Sequence, residues 1–448
     1  MTPIDTIAAI ATPNGVGGVG ILRVSGPLVA TVCQSLLGRT LDPRYATYSR
    51  FRDPDGVTID HGLAILFPAP RSFTGEDVLE LHAHGGPVVL DLLLAALLRC
   101  GARLARPGEF TERAFLNGKL DLAQAEAIAD LIESSTVATA RSAVRTLEGE
   151  LSRKIQDLVE RLVDMRVEIE AALDFPDEEL DLLGADTIGQ GLVRLIAETQ
   201  KLLAGAHQGR LFRDGLVVVI AGPPNAGKSS LMNALTNAET AIVTPIPGTT
   251  RDLLRERIQI DGLPVQLIDT AGLRPSDDPI EVVGMERART QLSAADLVLW
   301  VFDGTEQDID YSRWRQELPT GIAVTWLRNK IDLTGHPPGS YATPFGQEIA
   351  LSASTGQGLP HLHEHLRGMA GDASDAEGVF LARRRHITAL EGALAHLETA
   401  REALLNHLAP EMVAEDLRQA QRRFGEITGQ VSSEDLLERI FSSFCIGK

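Results

Sequence analysis

Cysteine is nearly absent. Cys33, Cys100 and Cys445 are the three in 448 residues, spread along the chain. So far apart, they form neither a disulfide framework nor a Cys-x-x-Cys metal site, and the expected home is a reducing cytoplasm. Long apolar runs are missing too. The longest, VVLDLLLAALL, falls short of a membrane span and carries Asp91, so it reads as a buried or amphipathic helix, and no membrane attachment is expected. The opening MTPIDTIAAIATPNG has no basic stretch ahead of an apolar one, which argues against a secretory signal. The final CIGK ends on Lys and carries Gly where a prenylation box needs an aliphatic residue, so lipidation is rejected. Excess positive charge is lacking as well. A net charge of −19 excludes a protein whose main business is coating nucleic acid, yet leaves room for a local basic patch that holds RNA. Residues 1 to 118 are close to neutral, with ten Arg/Lys against eleven Asp/Glu, and the acid lies later, as in DFPDEELD from Asp174 to Asp181.

What is present is a globular composition, 44% hydrophobic and 23% charged, at a length that suggests about three domains. Up to residue 118, short apolar runs alternate with turns. TIAAIAT, GVGILRVS, GLAILF and DVLELHAH read as strands, PLVATVCQSLL and PVVLDLLLAALLRC as helices, giving a mixed α/β domain. From Leu120 to about Gln208 the spacing is that of long helix. Residues 215 to about 370 alternate strands and helices, the signature of a parallel sheet. After GDASDAEG the chain is helical again, with Ile387, Leu390, Leu394, Leu397, Leu404 and Leu408 at three-four spacing. The expected organisation is an N-terminal domain over 1–118, a discontinuous helical domain over 119–214 and 372–448, and a doubly wound Ras-like α/β domain inserted at 215–371.

LVVVIAGPPNAGKSSLMNAL is an apolar strand, a glycine loop and a helix start. Gly222-x4-Gly227-Lys228-Ser229 is a phosphate-binding loop in its required context. Backbone N–H groups and the helix N-terminus cradle phosphate oxygens. Lys228 is expected to reach the β and γ phosphates and Ser229 to ligate magnesium. In VQLIDTAGL, Asp269 ends a strand where it can hold that magnesium through water, and Gly272 can sense the γ-phosphate. In VTWLRNKIDL, Asp332 can accept from two guanine donors at once, Asn329 supports the loop and base edge, and Lys330 lies over the ring. IALSASTG supplies Ser352, Ala353 and Ser354, whose backbone N–H meets the guanine oxygen. These stretches, in order and each after a strand, specify GTP. Two details set this GTPase apart from the ordinary switch type. Leu273 stands where Ras-like proteins keep a water-orienting Gln. Asn225, just ahead of Ala226, offers an amide oxygen that either ligates a monovalent cation beside the phosphates or braces the loop.

Together with ATPNGVGGVGILRVSG (Ala11 to Gly26), FTGEDVLELHAHGG (Phe73 to Gly86), RPGEFTERAFLNGKLDLAQAEAIADLI (Arg106 to Ile132), PGTTRD (Pro247 to Asp252), DTAGLR and the terminal Cys-Ile-Gly-Lys, these motifs resemble the bacterial MnmE (TrmE) family of tRNA modification GTPases over essentially the whole chain. The resemblance implies an N-terminal folate-binding-type domain that mediates a homodimer, and a G domain inserted in the helical domain. It implies joint action with the FAD-dependent MnmG subunit, as a heterotetramer, to add a carboxymethylaminomethyl or aminomethyl-type group to the wobble uridine of tRNA. The one-carbon donor is a tetrahydrofolate derivative of 5-formyl or methylene type. Carried over by position, folate contacts fall on Arg23, Glu80, Lys119 and Lys448. GTP contacts run over Asn225, Ala226, Gly227, Lys228, Ser229 and Ser230, over Thr244, Pro245, Ile246, Pro247, Gly248, Thr249 and Thr250, over Asp269, Thr270, Ala271 and Gly272, and over the guanine motifs. Magnesium falls to Ser229 and Thr250, potassium to Asn225, Thr244, Ile246 and Thr249. The water-positioning acid maps to Glu281 and a switch arginine to Arg251.

Other features weigh less. His361, His363 and His365 suggest a metal, but only the outer two share a helical face, so a solvated helix is the better reading. His82 and His84 share one strand face beside the folate block. Arg383 to Arg385, Arg418, Arg422 and Arg423 are candidate tRNA contacts, or simply a solvated helix surface. Rival readings are an Era-like RNA or ribosome-assembly GTPase, though no Gly-x-x-Gly loop supports a KH module, and a folate aminomethyltransferase with a regulatory G domain. At the terminus, Ser432 or Ser433 is expected to cap a helix whose Leu437, Ile440, Phe441 and Phe444 form one apolar face. Cys445 beyond it has two readings: a buried thiol anchoring the tail, or a reactive group near the chemistry.

Overall fold

Alternation in the first 118 residues does build a sheet. The computed structural model describes residues 5–174, 183–238, 255–260, 263–269, 295–306, 309–316, 318–319, 321–369, 380–406 and 410–447. The chain divides into two compact units. One comprises Met1–Ile132, Thr146–Val193 and Gly392–Lys448, the other Glu133–Arg145 and Arg194–Glu391.

In the first unit, β1 (Ile7–Ile10), β2 (Gly17–Ser25), β3 (Thr47–Arg52), β4 (Thr58–Phe67), β5 (Val78–Gly85) and β6 (Arg103–Leu104) form one sheet in the order β3-β4-β5-β2-β1-β6. Side chains alternate across the pleat. Leu79, Leu81 and Ala83 of β5 and Leu22 and Val24 of β2 enter a core with Val32 and Leu36 of the helix Val29–Leu37 and Leu90, Leu93 and Leu97 of the helix Pro87–Arg99. The intervening residues must face the other way. Arg23 and Glu80 stand there as direct cross-strand partners, since β2 and β5 pair antiparallel with Arg23 opposite Glu80. The strand β3, TYSRFR, is an addition to the expected set. Only Ser49 and Phe51 are buried in it, so its inward face carries a single large apolar residue.

The expected long helix after Leu120 is segmented into Leu122–Glu133, Val137–Leu147, Glu150–Asp174 and Leu183–Asp214. The two interruptions among the described residues have local causes, and residues 175–182 lie outside the described residues. Thr136 Oγ1 accepts the Thr139 N–H at 3.1 Å, starting a new helix. Gly149 takes φ +81°, which ends a helix at little cost only for glycine. The helix Pro410–Thr428 packs along Glu150–Asp174, and Arg166 Nη1 donates to Gln421 Oε1 at 2.7 Å. The last helix, Glu434–Phe441, is capped by Ser433, whose Oγ accepts the Leu436 N–H at 3.3 Å. Ile440, Phe441 and Phe444 are buried against Leu122, Ala125 and Ala129, with Phe115 and Leu437 beside them. Burying a Phe-sized side chain contributes about 1.5–3 kcal/mol, so this terminus is docked.

The second unit holds a seven-stranded sheet, β12-β13-β11-β10-β7-β9-β8. Its strands are β7 (Leu216–Ala221), β8 (Arg255–Ile260), β9 (Leu263–Asp269), β10 (Leu297–Asp303), β11 (Ala323–Asn329), β12 (Gly339–Thr343) and β13 (Gly346–Ala350). The five central strands are parallel, as the alternating pattern predicts, and each edge is closed by an antiparallel neighbour. β13 is the strand expected ahead of Ser352, and β12 paired to it is an addition to the expected set.

An ionic cluster ties the segment Arg103–Arg113 to the first sheet. Glu109, 2% exposed, accepts from Arg103 Nη1 and Nη2 at 2.8 and 2.5 Å, from Arg113 Nη2 at 3.2 Å and from the Arg106 N–H at 2.8 Å. Burial alone would raise its pKa, but the Arg103, Arg106 and Arg113 donors outweigh burial and bring it down to about 2. A carboxyl whose folded pKa lies below its unfolded value contributes stability above the unfolded value, near 4.5, and loses it as pH falls toward about 2. Denaturation of the full chain monitored across that window should therefore show falling stability. Glu109→Gln should flatten the acid limb and lower stability at pH 7 by about 1–3 kcal/mol, because it weakens charged hydrogen bonds to a buried acceptor while Asp5, Glu76 and Glu112 keep the arginines paired. An unchanged acid limb would show that Glu109 is not the titrating group.

Candidate functional site

The apolar strand β7 delivers the chain to Gly222, and the helix Lys228–Ala238 begins where the loop ends. Two glycines of the loop are required by their neighbours. Gly222 has φ +139°, and a Cβ there would lie 2.0 Å from the Val301 carbonyl oxygen of β10. Gly227 has φ +96°, and a Cβ there would lie 2.2 Å from Asn329 Nδ2. Asn225 between them also takes a left-handed φ of +62°, which asparagine tolerates better than most residues. Lys228 Nζ folds back over the loop and donates to the carbonyls of Gly222 and Pro223 at 2.8 and 2.9 Å. Ser229 and Ser230 are both exposed at the helix start.

The guanine motifs converge on this loop through one side chain. Asn329, buried at the end of β11, donates from Nδ2 to the Ala226 carbonyl at 2.8 Å. Its Oδ1 accepts the Ala353 N–H at 3.0 Å. Phosphate loop, β11 and the Ser352–Ser354 turn are thus held together by one carboxamide. The turn is closed by Ser352 Oγ and Ser354 Oγ at 3.0 Å and by the Ser352 N–H on the Gln357 carbonyl at 2.8 Å. Lys330 has φ +64°, and its Nζ donates to Asp303 Oδ2 at 2.7 Å. Asp332 is exposed in the short helix Ile331–Thr334. Burial alone would raise the Asp303 carboxyl; the bonds from Lys330 and Thr305 outweigh it and hold the group below its ordinary value. Asp303 belongs to no motif in the sequence; its place at the end of an apolar strand, followed by Gly304, is the signal that marks it.

A second cluster lies in the first unit. Arg23 Nε and Nη2 meet Glu80 Oε1 at 3.0 and 2.9 Å, and Glu80 Oε2 meets His82 Nε2 at 3.3 Å. The Arg23 guanidinium stands 5.6 Å from the Phe73 ring centre and 5.8 Å from that of Phe110. From the far end of the chain, the Gly447 carbonyl accepts from Arg23 Nη1 at 3.5 Å and the Cys445 carbonyl from the Gly108 N–H at 3.3 Å. Gly447 has φ +95°, and a Cβ on it would lie 2.4 Å from the Ile10 carbonyl oxygen, so only glycine fits that approach. Arg23, Glu80 and the penultimate residue are therefore together. Lys119 Nζ donates to the Pro70 carbonyl at 3.0 Å, with its stem near Gly75. Cys445 is exposed, which overturns its reading as a buried anchor.

Among the other candidates, His84 pairs with Asp60 at 2.9 Å, and His365, its pKa lowered by burial, meets Thr325 Oγ1 at 2.7 Å. Arg418 pairs with Glu415 at 2.7 Å and Arg423 with Glu426 at 3.3 Å. Thr244, Pro245, Ile246, Pro247, Gly248, Thr249, Thr250, Arg251, Thr270, Ala271, Gly272, Glu281 and Lys448 lie outside the described residues, as does the side chain of Asp269. No helix among the described residues is long and apolar enough to cross a membrane.

Comparison with known proteins identifies the family. Residues 6–119 match the family model described as GTP-binding protein TrmE N-terminus, and residues 122–445 match the MnmE helical domain. The chain is 54% identical to the tRNA modification GTPase MnmE of Yersinia pseudotuberculosis serotype IB over the full length of both, and 53% identical to that of Vibrio cholerae over 99% of each. The chain belongs to the MnmE family. Among solved structures, an Era variant of Aquifex aeolicus bound to GDP.AlF4- is 24% identical and covers 40% of this chain and 66% of that one, at a TM-score of 0.28, too low to carry weight.

Asn329→Ala removes two hydrogen bonds and orphans a buried carbonyl, each worth about 1 kcal/mol. Guanine nucleotide affinity, measured by fluorescence titration, should fall about 10- to 100-fold. Unaltered affinity would show that the loop holds its shape without this carboxamide.

Proposed function

We propose that this chain hydrolyses GTP in the service of tRNA modification, and that the modified position is the wobble uridine. Family membership supports the tRNA modification GTPase reading. The observation that carries it in the molecule is the Asn329 carboxamide, which joins a phosphate loop to a guanine-type Asn-Lys-x-Asp and Ser-Ala-Ser pair within an MnmE-family chain. We assign GTP to Asn225–Ser230, Asp269, Asn329, Lys330, Asp332 and Ser352–Ser354, with magnesium held by Ser229 and Thr250. Glu281 is assigned to position the attacking water, which Leu273 cannot do, and Arg251 to the switch. Potassium is assigned to Asn225, Thr244, Ile246 and Thr249. The exposed left-handed Asn225 fits such a role, since its side chain leaves the loop rather than packing into it.

The folate derivative is assigned to Arg23, Glu80, Lys119 and Lys448. Glu80 can accept from pterin donors, while the cations suit carbonyl and carboxylate groups. The donor set supports this: carboxylate, guanidinium and imidazole face one side of a sheet, walled by Phe73 and Phe110. The remaining assignments follow the family: a homodimer through the N-terminal domain, an FAD-dependent MnmG partner, tRNA as substrate and a cytoplasmic site of action.

Two measurements test this. GTP turnover should be many-fold faster in potassium than in sodium, because sodium is too small to span the same ligands; equal turnover would remove potassium from the account. The second is nucleoside analysis of tRNA from cells whose own copy is deleted and replaced. The wild-type chain should restore the modified wobble uridine. A chain lacking the last four residues should fold and turn over GTP yet leave the uridine unmodified, and Cys445→Ser should lower modification without weakening GTP binding. Full modification by the truncated chain would return those residues to the status of an ordinary chain end, and no change on deleting the whole protein would overturn the function.

A further inference from the structure

The residue after Asn329 is held in a way the nucleotide motifs alone do not require. Lys330 sits in the left-handed region, at φ +64°. Its ammonium ends on Asp303 Oδ2 at 2.7 Å. The other carboxylate oxygen of Asp303 is occupied: Oδ1 accepts the Thr305 N–H at 2.9 Å and Thr305 Oγ1 at 2.7 Å. The same turn bonds back to β11, because the Gly304 N–H donates to the Asn329 carbonyl at 2.8 Å. There is no room for a larger residue at 304, where a Cβ would fall 2.6 Å from that carbonyl. Asp303 and Asn329 are themselves direct partners in the parallel ladder of β10 and β11. So Asp303 is fixed by its own turn, the turn is fixed to the strand that carries Asn329, and what is left of the carboxylate points at Lys330.

We propose that Asp303 is a positioning residue for guanine nucleotide binding: by anchoring the Lys330 ammonium, it holds the lysine's methylene stem in place before the base arrives. This rests on the guanine-site reading above. A free lysine side chain carries a large rotamer entropy. A stem already ordered loses little of it on binding, and affinity rises by that saving. The stem is apolar and covers a ring face without reading its edge, so the contribution is to affinity and not to base identity. Identity stays with Asp332, which meets the edge donors.

The test is equilibrium titration of the full-length protein with GDP, inosine diphosphate and ADP. Wild type should prefer GDP over ADP; equal binding of both would overturn the guanine-site reading itself, and this inference with it. With that preference in place, Asp303→Ala should weaken GDP and inosine diphosphate by the same factor, about 5- to 20-fold. Asp332→Ala should change their ratio, because inosine lacks the exocyclic amino group. Asp303→Glu, which keeps the carboxylate, should recover most of the loss. The decisive arm is the double variant. If Asp303 acts through Lys330, Asp303→Ala with Lys330→Ala should bind within about twofold of Lys330→Ala alone. Additive losses, or wild-type affinity for Asp303→Ala, would overturn the proposal. A nucleotide-free unfolding midpoint for each variant separates it from a merely structural role: a drop in midpoint that tracks the affinity loss across the set counts against positioning.

Discussion

The nucleotide site hangs on the carboxamide of Asn329. An amide group has a donor end and an acceptor end a fixed distance apart. Here the donor takes the Ala226 carbonyl and the acceptor takes the Ala353 N–H. Both bonds form only if the phosphate loop and the Ser352–Ser354 turn stand at one separation across the end of β11. The glycine pattern of the loop follows from the same constraint. Gly227 leaves space for Asn329 Nδ2, and Gly222 leaves space for the backbone of β10. The familiar Gly-x4-Gly-Lys spacing is, in this chain, the spacing at which the loop passes two neighbours too close for a Cβ. The parallel ladder β7-β10-β11 then holds those neighbours in register.

In the first unit the corresponding constraint is the seating of the chain end. Phe441 and Phe444 are buried against the helix Leu122–Glu133, and that fixes where the last few backbone groups can go. Two glycines then allow close approach from both sides. A Cβ on Gly108 would lie 2.6 Å from the Phe441 carbonyl, and one on Gly447 2.4 Å from that of Ile10. The result is a carbonyl from residue 447 within reach of Arg23, at a sequence separation of 424. Arg23 is held by Glu80 opposite it in the ladder, so the tail meets a side chain already ordered.

Much of this was legible in the sequence, for reasons that differ by element. The strands β2 and β5 alternate, β1 is a short continuous apolar run buried on both faces, and the loop motif has a fixed backbone consequence, so all appear where expected. The terminal helix announced itself by the pair Ser432 and Ser433, of which Ser433 is the cap, and by four apolar residues on one face. What stayed hidden had weak or non-local signals. β3 buries one large apolar residue, Phe51, and so looks like loop. The helical stretch after Leu120 reads as continuous because its interruptions rest on Thr136 and Gly149, single residues whose effect depends on a hydroxyl bond and a positive φ. Asp303 carries no motif; its meaning lies in the register that sets β10 beside β11. Arg23 and Glu80 were singled out only by the resemblance, because nothing local in either strand announces that the pairing of β2 with β5 sets them face to face.

The tail also shows what packing does and does not explain. Phe444 is buried and needs its ring; Gly447 is buried and needs its missing Cβ. Between them Cys445 is exposed, and its backbone carbonyl, not its sulfur, makes the bond to Gly108. A backbone carbonyl is supplied by any residue, so serine or alanine would seat the tail equally well. The structural demands on the terminus are therefore met by its neighbours, and the sulfur at position 445 is left to be explained by chemistry in solution-facing surroundings rather than by the fold.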